Sequence, residues 1–115
     1  MPQRTVAELH EAASICQLFQ DTVARHPDRV ALRAAGDDEP ITWRQYASRV
    51  RTIAAGLAAL GVGRGDTVAL LLTNRPEFNL VDAAVQHLGA IPFSVYNTSS
   101  ADQIAHLFTN AENRV

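Results

Sequence analysis

At 115 residues the chain is sized for one domain or for part of a larger one. Apolar residues make up 47% and charged residues 19%, with a net charge of -2, so there is material for a core and not the composition of a disordered segment. The near-neutral balance gives no basic stripe for nucleic acid and no acidic tail for a basic partner, and the lone Cys16 excludes an intrachain disulfide or a multi-cysteine zinc site.

Residues 1–13 carry little pattern and read as an N-terminal arm. Arg4, Glu8, His10 and Glu11 leave no apolar stretch there for a secretory signal. No apolar run approaches the length of a membrane span, so a cytoplasmic location is expected. After the arm, four segments share one helix-start signature, a capping residue followed three positions later by Gln or Glu: Ser14–Gln17, Thr42–Gln45, Asn74–Glu77 and Ser100–Gln103.

The first helix is expected from Ile15 to Arg25, with Ile15, Leu18, Phe19 and Val23 on one face. His26-Pro27 ends it, because the residue before a proline is pushed out of helical geometry. A hairpin follows, with Val30–Leu32 as a strand, Gly36-Asp37-Asp38 as the turn and Pro40–Thr42 as a short return. The second helix is expected from Trp43 to Leu60, with Tyr46, Val50, Ile53, Leu57 and Leu60 in one stripe. Ala54, Ala55, Gly56, Ala58 and Ala59 crowd its second half. Small residues there would let another backbone approach, which suggests a buried helix. Gly61 follows, suited to a left-handed cap.

Val68–Leu72 is an uninterrupted apolar run, the mark of a strand covered on both faces. A third helix is expected from Asn74 to Leu88, with Pro76 tolerated in its first turn and Gly89 past its end. Ile91–Val95 is a second apolar strand, Tyr96–Ser99 a loop, and Ser100 opens a last helix through Asn110. Strand, helix and strand with short joints make two parallel strands with a right-handed crossover. Both faces of that pair need cover that these residues do not obviously supply. The fold class expected is α/β.

Four motifs stand in order: Ile41-Thr42-Trp43-Arg44-Gln45-Tyr46, then residues 60–70 beginning Leu60-Gly61-Val62-Gly63-Arg64-Gly65-Asp66, then Asn74-Arg75-Pro76-Glu77-Phe78, then Leu88-Gly89-Ala90-Ile91-Pro92. In that order and spacing they resemble the N-terminal subdomain of adenylate-forming (AMP-binding) enzymes: acyl-CoA synthetases, luciferases and peptide-synthetase adenylation domains. The likeness runs from about Ser14 to the last residue. Tyr96, the Thr98-Ser99-Ser100 run and Gln103 look most like the long-chain fatty-acid–CoA ligases.

The resemblance implies a two-step reaction for a parent enzyme. A fatty-acid carboxylate attacks the α-phosphate of ATP with Mg²⁺, giving acyl-adenylate and pyrophosphate, and the CoA thiol then displaces AMP. It also implies that residues 14–115 are an incomplete N-terminal subdomain. The family's Ser/Thr/Gly-rich loop ending in Pro-Lys-Gly has no match here. All ten basic residues are arginine, so neither the loop lysine nor the later adenylation lysine exists in this chain. The expected site assignment is therefore no catalytic, cofactor-binding or metal-binding residue, with ATP, Mg and CoA belonging to the parent.

Several residues invite other readings. Gly61-x-Gly63-x-Gly65 follows a helix and precedes a strand, the reverse of a dinucleotide fingerprint, so a cap and turn is expected. Arg64-Gly65-Asp66 is read as a turn, and the glycosylation sequon Asn97-Thr98-Ser99 would need a secretory route. His10, His26, His87 and His106 lack ligand spacing, and Asp37-Asp38-Glu39 suits a solvated turn. Trp43 and Tyr46 suit packing. Cys16 suits a small core or half-buried position.

Three functions remain open. One is an inactive portion of a fatty-acid–CoA ligase, self-associating or paired with a downstream ligase polypeptide. Another is a stand-alone interaction or dimerisation module. The third is part of a peptide-synthetase adenylation domain.

Overall fold

The computed structural model describes Thr5, residues 14–36 and residues 39–115. The arm expected over residues 1–13, with His10, lies outside the described residues apart from Thr5, as do Asp37 and Asp38 of the hairpin turn. The chain divides into two compact units, Met1–Ser48 and Arg49–Val115.

In the first unit, α1 spans Ile15–Arg25, and Ser14 Oγ accepts the Gln17 N–H at 3.1 Å to cap it. His26 closes it, its N–H donating to the Thr22 carbonyl. Leu18, Phe19 and Val23 are half-buried as the periodicity requires, whereas Ile15, in the first turn, is 71% exposed. β1 (Val30–Leu32) pairs antiparallel with β2 (Ile41–Thr42), Val30 opposite Thr42 and Leu32 opposite Ile41, with an irregularity between.

Thr42 ends β2 and caps the next helix, α2 (Trp43–Ala59). Its Oγ1 accepts the Gln45 N–H at 3.2 Å, and Gln45 Oε1 accepts the Thr42 N–H at 2.9 Å. This reciprocal box satisfies two backbone donors at once. It also fixes Trp43 and Tyr46 one turn apart. Phe19 meets both edge-on, at 5.7 and 4.8 Å between ring centres, while Trp43 and Tyr46 stack at 5.7 Å. Both aromatics pack, as expected.

α2 continues into the second unit. Val50 is buried and Ile53 and Leu57 half-buried, but Ala55, Gly56, Ala58 and Ala59 are exposed and Leu60 is 65% exposed. The buried helix suggested by those small residues is not what forms. A Cβ built on Gly56 would meet nothing within 4 Å, so no backbone uses the approach that they permit.

α2 and α3 (Pro76–His87) end in the same way. Gly61, at φ 93°, donates to the Ala58 carbonyl while Val62 donates to Leu57. Gly89, at φ 71°, donates to Gln86 while Ala90 donates to Val85. Each is a Schellman cap, where glycine supplies the left-handed residue and the next apolar residue turns inward. Val62 and Ala90 join Val68, Leu70 and Val85 in one core cluster, flanked by Leu57, Phe78, Val81 and Leu88.

β3 (Thr67–Leu70) and β4 (Ile91–Ser94) are parallel, Thr67 in register with Ile91 and Leu70 with Ser94. Val68 and Leu70 are buried, but Leu71 is 55% and Ile91 54% exposed. On the face away from Val68 and Leu70, Thr67, Ala69 and Phe93 are half-buried and Ile91 is exposed, so the two-sided cover implied by the apolar runs is only partial. On its outer edge β4 offers Pro92, which has no N–H to template a further strand. The far edge of β3 is engaged instead: Arg114 donates to the Thr67 carbonyl at 2.8 Å, and Ala69 donates to the Val115 carbonyl at 2.9 Å. Between β4 and that segment lies α4 (Ala101–Ala111), opened by a full capping box between Ser100 and Gln103.

Candidate functional site

The carboxyl ends of β3 and β4 lie where open parallel sheets present their crevices. Here Tyr96, 81% exposed, lies two residues past the end of β4. It lines two grooves. One, of about 430 Å³, runs past Leu72, Asn74, Phe78, Val95 and Asn97. The other, of about 660 Å³, runs past Thr98, Asp102, Gln103, His106 and Leu107 on the α4 side.

The start of α3 borders the first groove. Asn74 was expected to cap this helix, but the cap is Arg75, extended at φ -143° and ψ 161° and without a side-chain cap bond. Pro76 at the first helical position is the reason, because it forces the residue before it out of helical geometry. Arg75 instead reaches forward, its Nε donating to Glu77 Oε2 at 2.8 Å. That hydrogen bond holds the Glu77 carboxyl below the usual carboxylate range and raises the Arg75 guanidinium further. Nothing in the spacing signalled this i, i+2 pair.

Gln103, singled out by the ligase resemblance, spends its side-chain oxygen on the Ser100 N–H at 2.8 Å. Its observed work is structural. The glycine run Gly61, Gly63 and Gly65 is a cap and turn, as read: Gly63 N–H donates to Asp66 Oδ2 at 2.8 Å, and Gly65 N–H donates to the Gly89 carbonyl at 3.0 Å. Asp66 also lies 3.6 Å from Arg114 Nε. The Arg64-Gly65-Asp66 tripeptide is thus committed to holding the joint before β3. Asn97 and Thr98 are exposed and Ser99 is half-buried, in the turn before α4.

His26 and His87 are half-buried and His106 is exposed, and His87 Nδ1 is 2.7 Å from the Ala83 carbonyl. Among the described residues, no group of three or more His, Cys, Asp or Glu is placed to hold a metal ion. The sequence supplies no lysine for a triphosphate. Cys16, half-buried in α1, has its thiol pushed up by burial and is a poor nucleophile at neutral pH. No helix among the described residues is long and apolar enough to cross a membrane.

Residues 19–115 match the AMP-binding enzyme family. An uncharacterized protein of Mycobacterium tuberculosis is 52% identical over 102 residues, covering 89% of this chain and 58% of its own length. The medium/long-chain fatty-acid–CoA ligase FadD6 of the same organism is 37% identical over 101 residues, 88% of this chain but 17% of the ligase. The N-terminal subdomain of Klebsiella oxytoca NpsA, solved with anthranilyl-AMSN, matches with a TM-score of 0.80 at 29% identity, over 87% of this chain and 26% of NpsA's. The α/β fold resembles that of these N-terminal subdomains, and the chain belongs to the AMP-binding enzyme family.

Proposed function

We propose that this chain is the N-terminal structural portion of a fatty-acid–CoA ligase and carries none of its catalytic residues. Residues 14–115 act as an incomplete subdomain, preceded by an arm over residues 1–13. The parent activates a fatty acid with ATP and passes the acyl group to CoA. The phosphate-gripping loop and the adenylation lysine come from polypeptide beyond these 115 residues, either continuous with them or a separate ligase chain. A cytoplasmic setting belongs to the same proposal.

The observation that carries this reading is the half-covered parallel sheet. Val68 and Leu70 are buried on one face while Leu71 and Ile91 stand exposed, as expected of a sheet whose second layer is supplied by further polypeptide. Kinship with FadD6 supports the fatty-acid assignment.

The likeness to NpsA favours a second reading, in which the parent adenylates an aromatic or amino acid. One experiment separates the two. The chain is mixed in parallel with FadD6 lacking the 101 aligned residues and with NpsA lacking its matched segment, and ATP–pyrophosphate exchange is followed with palmitate in the first mixture and anthranilate in the second. Exchange that needs both polypeptides and is restored in the FadD6 mixture is the expected result. Restoration in the NpsA mixture instead would move the assignment to the NpsA-like branch, and no exchange in either mixture would remove the support for complementation.

A further inference from the structure

In a parallel pair, alternate residues of a strand turn their N–H and C=O groups toward the neighbour. Asp66, just before β3, and Leu70 within it serve β4, accepting from the Ile91 and Val95 N–H groups at 2.8 and 2.9 Å. Thr67 and Ala69 point the other way, and both are taken. The Thr67 carbonyl accepts the Arg114 N–H at 2.8 Å, and the Ala69 N–H donates to the Val115 carbonyl at 2.9 Å. Two side chains reinforce this attachment. Thr67 Oγ1 donates to the Ala111 carbonyl at 2.8 Å. Asp66 Oδ2, which accepts the Gly63 N–H at 2.8 Å, lies 3.6 Å from Arg114 Nε.

The attachment is slight. The Asp66–Arg114 pair is partly exposed, where an ion pair contributes little. The segment leaves α4 through Glu112 at φ 50°, in the left-handed region that disfavours a residue with a Cβ. A strained joint thus sits at its root. The edge beneath it is the one that can template another strand, because Pro92 on the outer edge of β4 has no N–H to offer. That edge is also self-complementary. About a two-fold axis beside Val68, Thr67 of one copy faces Ala69 of another, and the two can exchange both backbone hydrogen bonds.

We propose that residues 112–115 form a releasable clasp over the β3 edge, latched by Asp66 and Thr67, and that its release lets a second copy of the chain pair there edge to edge. Clasp and second copy compete for the same Thr67 carbonyl and Ala69 N–H, so closure and edge pairing exclude each other. The device uses residues 63–115 alone and stands whether or not the function proposed above holds.

Single amides of the full 115-residue chain are followed by NMR hydrogen exchange in wild type and two variants. Asp66→Asn keeps an acceptor for Gly63 but loses the charge facing Arg114, and Thr67→Val loses the bond to Ala111. In dilute solution the Ala69 and Arg114 amides should exchange roughly threefold or more faster in both variants, while the Val95 amide, bonded across to Leu70, keeps its wild-type rate. As the concentration rises, the Ala69 amide of the variants should become protected again by edge pairing. Unchanged Ala69 and Arg114 rates would overturn the latch. Equal acceleration of Val95 would mean that the substitutions loosen the whole sheet, and would overturn the clasp. Association that leaves Ala69 unprotected would place the contact on the exposed apolar residues and overturn edge pairing, as would variants that stay monomeric throughout.

Discussion

Single residues fix the joints of the second unit, and each makes a measurable demand. Gly89 sits at φ 71°, and a Cβ there would come 3.3 Å from Arg64 Cγ. Gly89→Ala should lower stability by about 1–2 kcal/mol, from left-handed backbone strain with a small steric addition, read as a shift of the urea midpoint. Glu77 carries a carboxyl held low by the Arg75 hydrogen bond. A depressed folded value adds stability above the ordinary carboxylate range and forfeits it as pH falls through the folded value. Comparing thermal midpoints of wild type and Glu77→Gln across that range should show the wild-type advantage at neutral pH only. Cys16 has the opposite shift, so its alkylation at about pH 8 should be slower in the folded chain than in denaturant. Equal rates would place the thiol in solvent.

Whole elements were legible where their signals are local. The capping pairs at Ser14, Thr42 and Ser100 are in place, and the two Leu-Gly joints form as glycine at a helix end demands. Ser100→Ala, which removes one arm of the α4 box, should cost about 1 kcal/mol and reduce helix content near the C-terminus, read by amide exchange. If exchange in α4 is unchanged, tertiary contacts outweigh the cap. Other features depend on partners distant in sequence and left no local trace. Val68–Leu72 reads as apolar on both faces, but only the tertiary fold reveals that Val68 and Leu70 are covered and Leu71 is not. The small-residue half of α2 reads as an approach surface and is bare. The pairing of Arg114 and Val115 with β3 spans more than forty residues, beyond any periodicity. As for the site, the glycine run and the aromatic pair were readable as structure, whereas the Tyr96 ridge between two grooves needed the sheet and α4 to be assembled first.

At the scale of the molecule, one core cluster carries the second unit. Val85 is wholly buried at its centre, and Val85→Ala should cost about 2 kcal/mol, from lost apolar burial and the cavity left behind. Around that core, Leu60, Leu71, Ile91 and Tyr96 are all more than half exposed, and a chain with so much uncovered apolar surface should associate as its concentration rises. Light scattering that shows a stable, folded monomer at micromolar concentration would count against this. The most direct measurement of all is ATP–pyrophosphate exchange by the purified 115-residue chain with palmitate and Mg²⁺. A chain holding only scaffold residues gives exchange no greater than a buffer blank. Exchange well above the blank would mean that these residues perform the chemistry assigned to polypeptide beyond them.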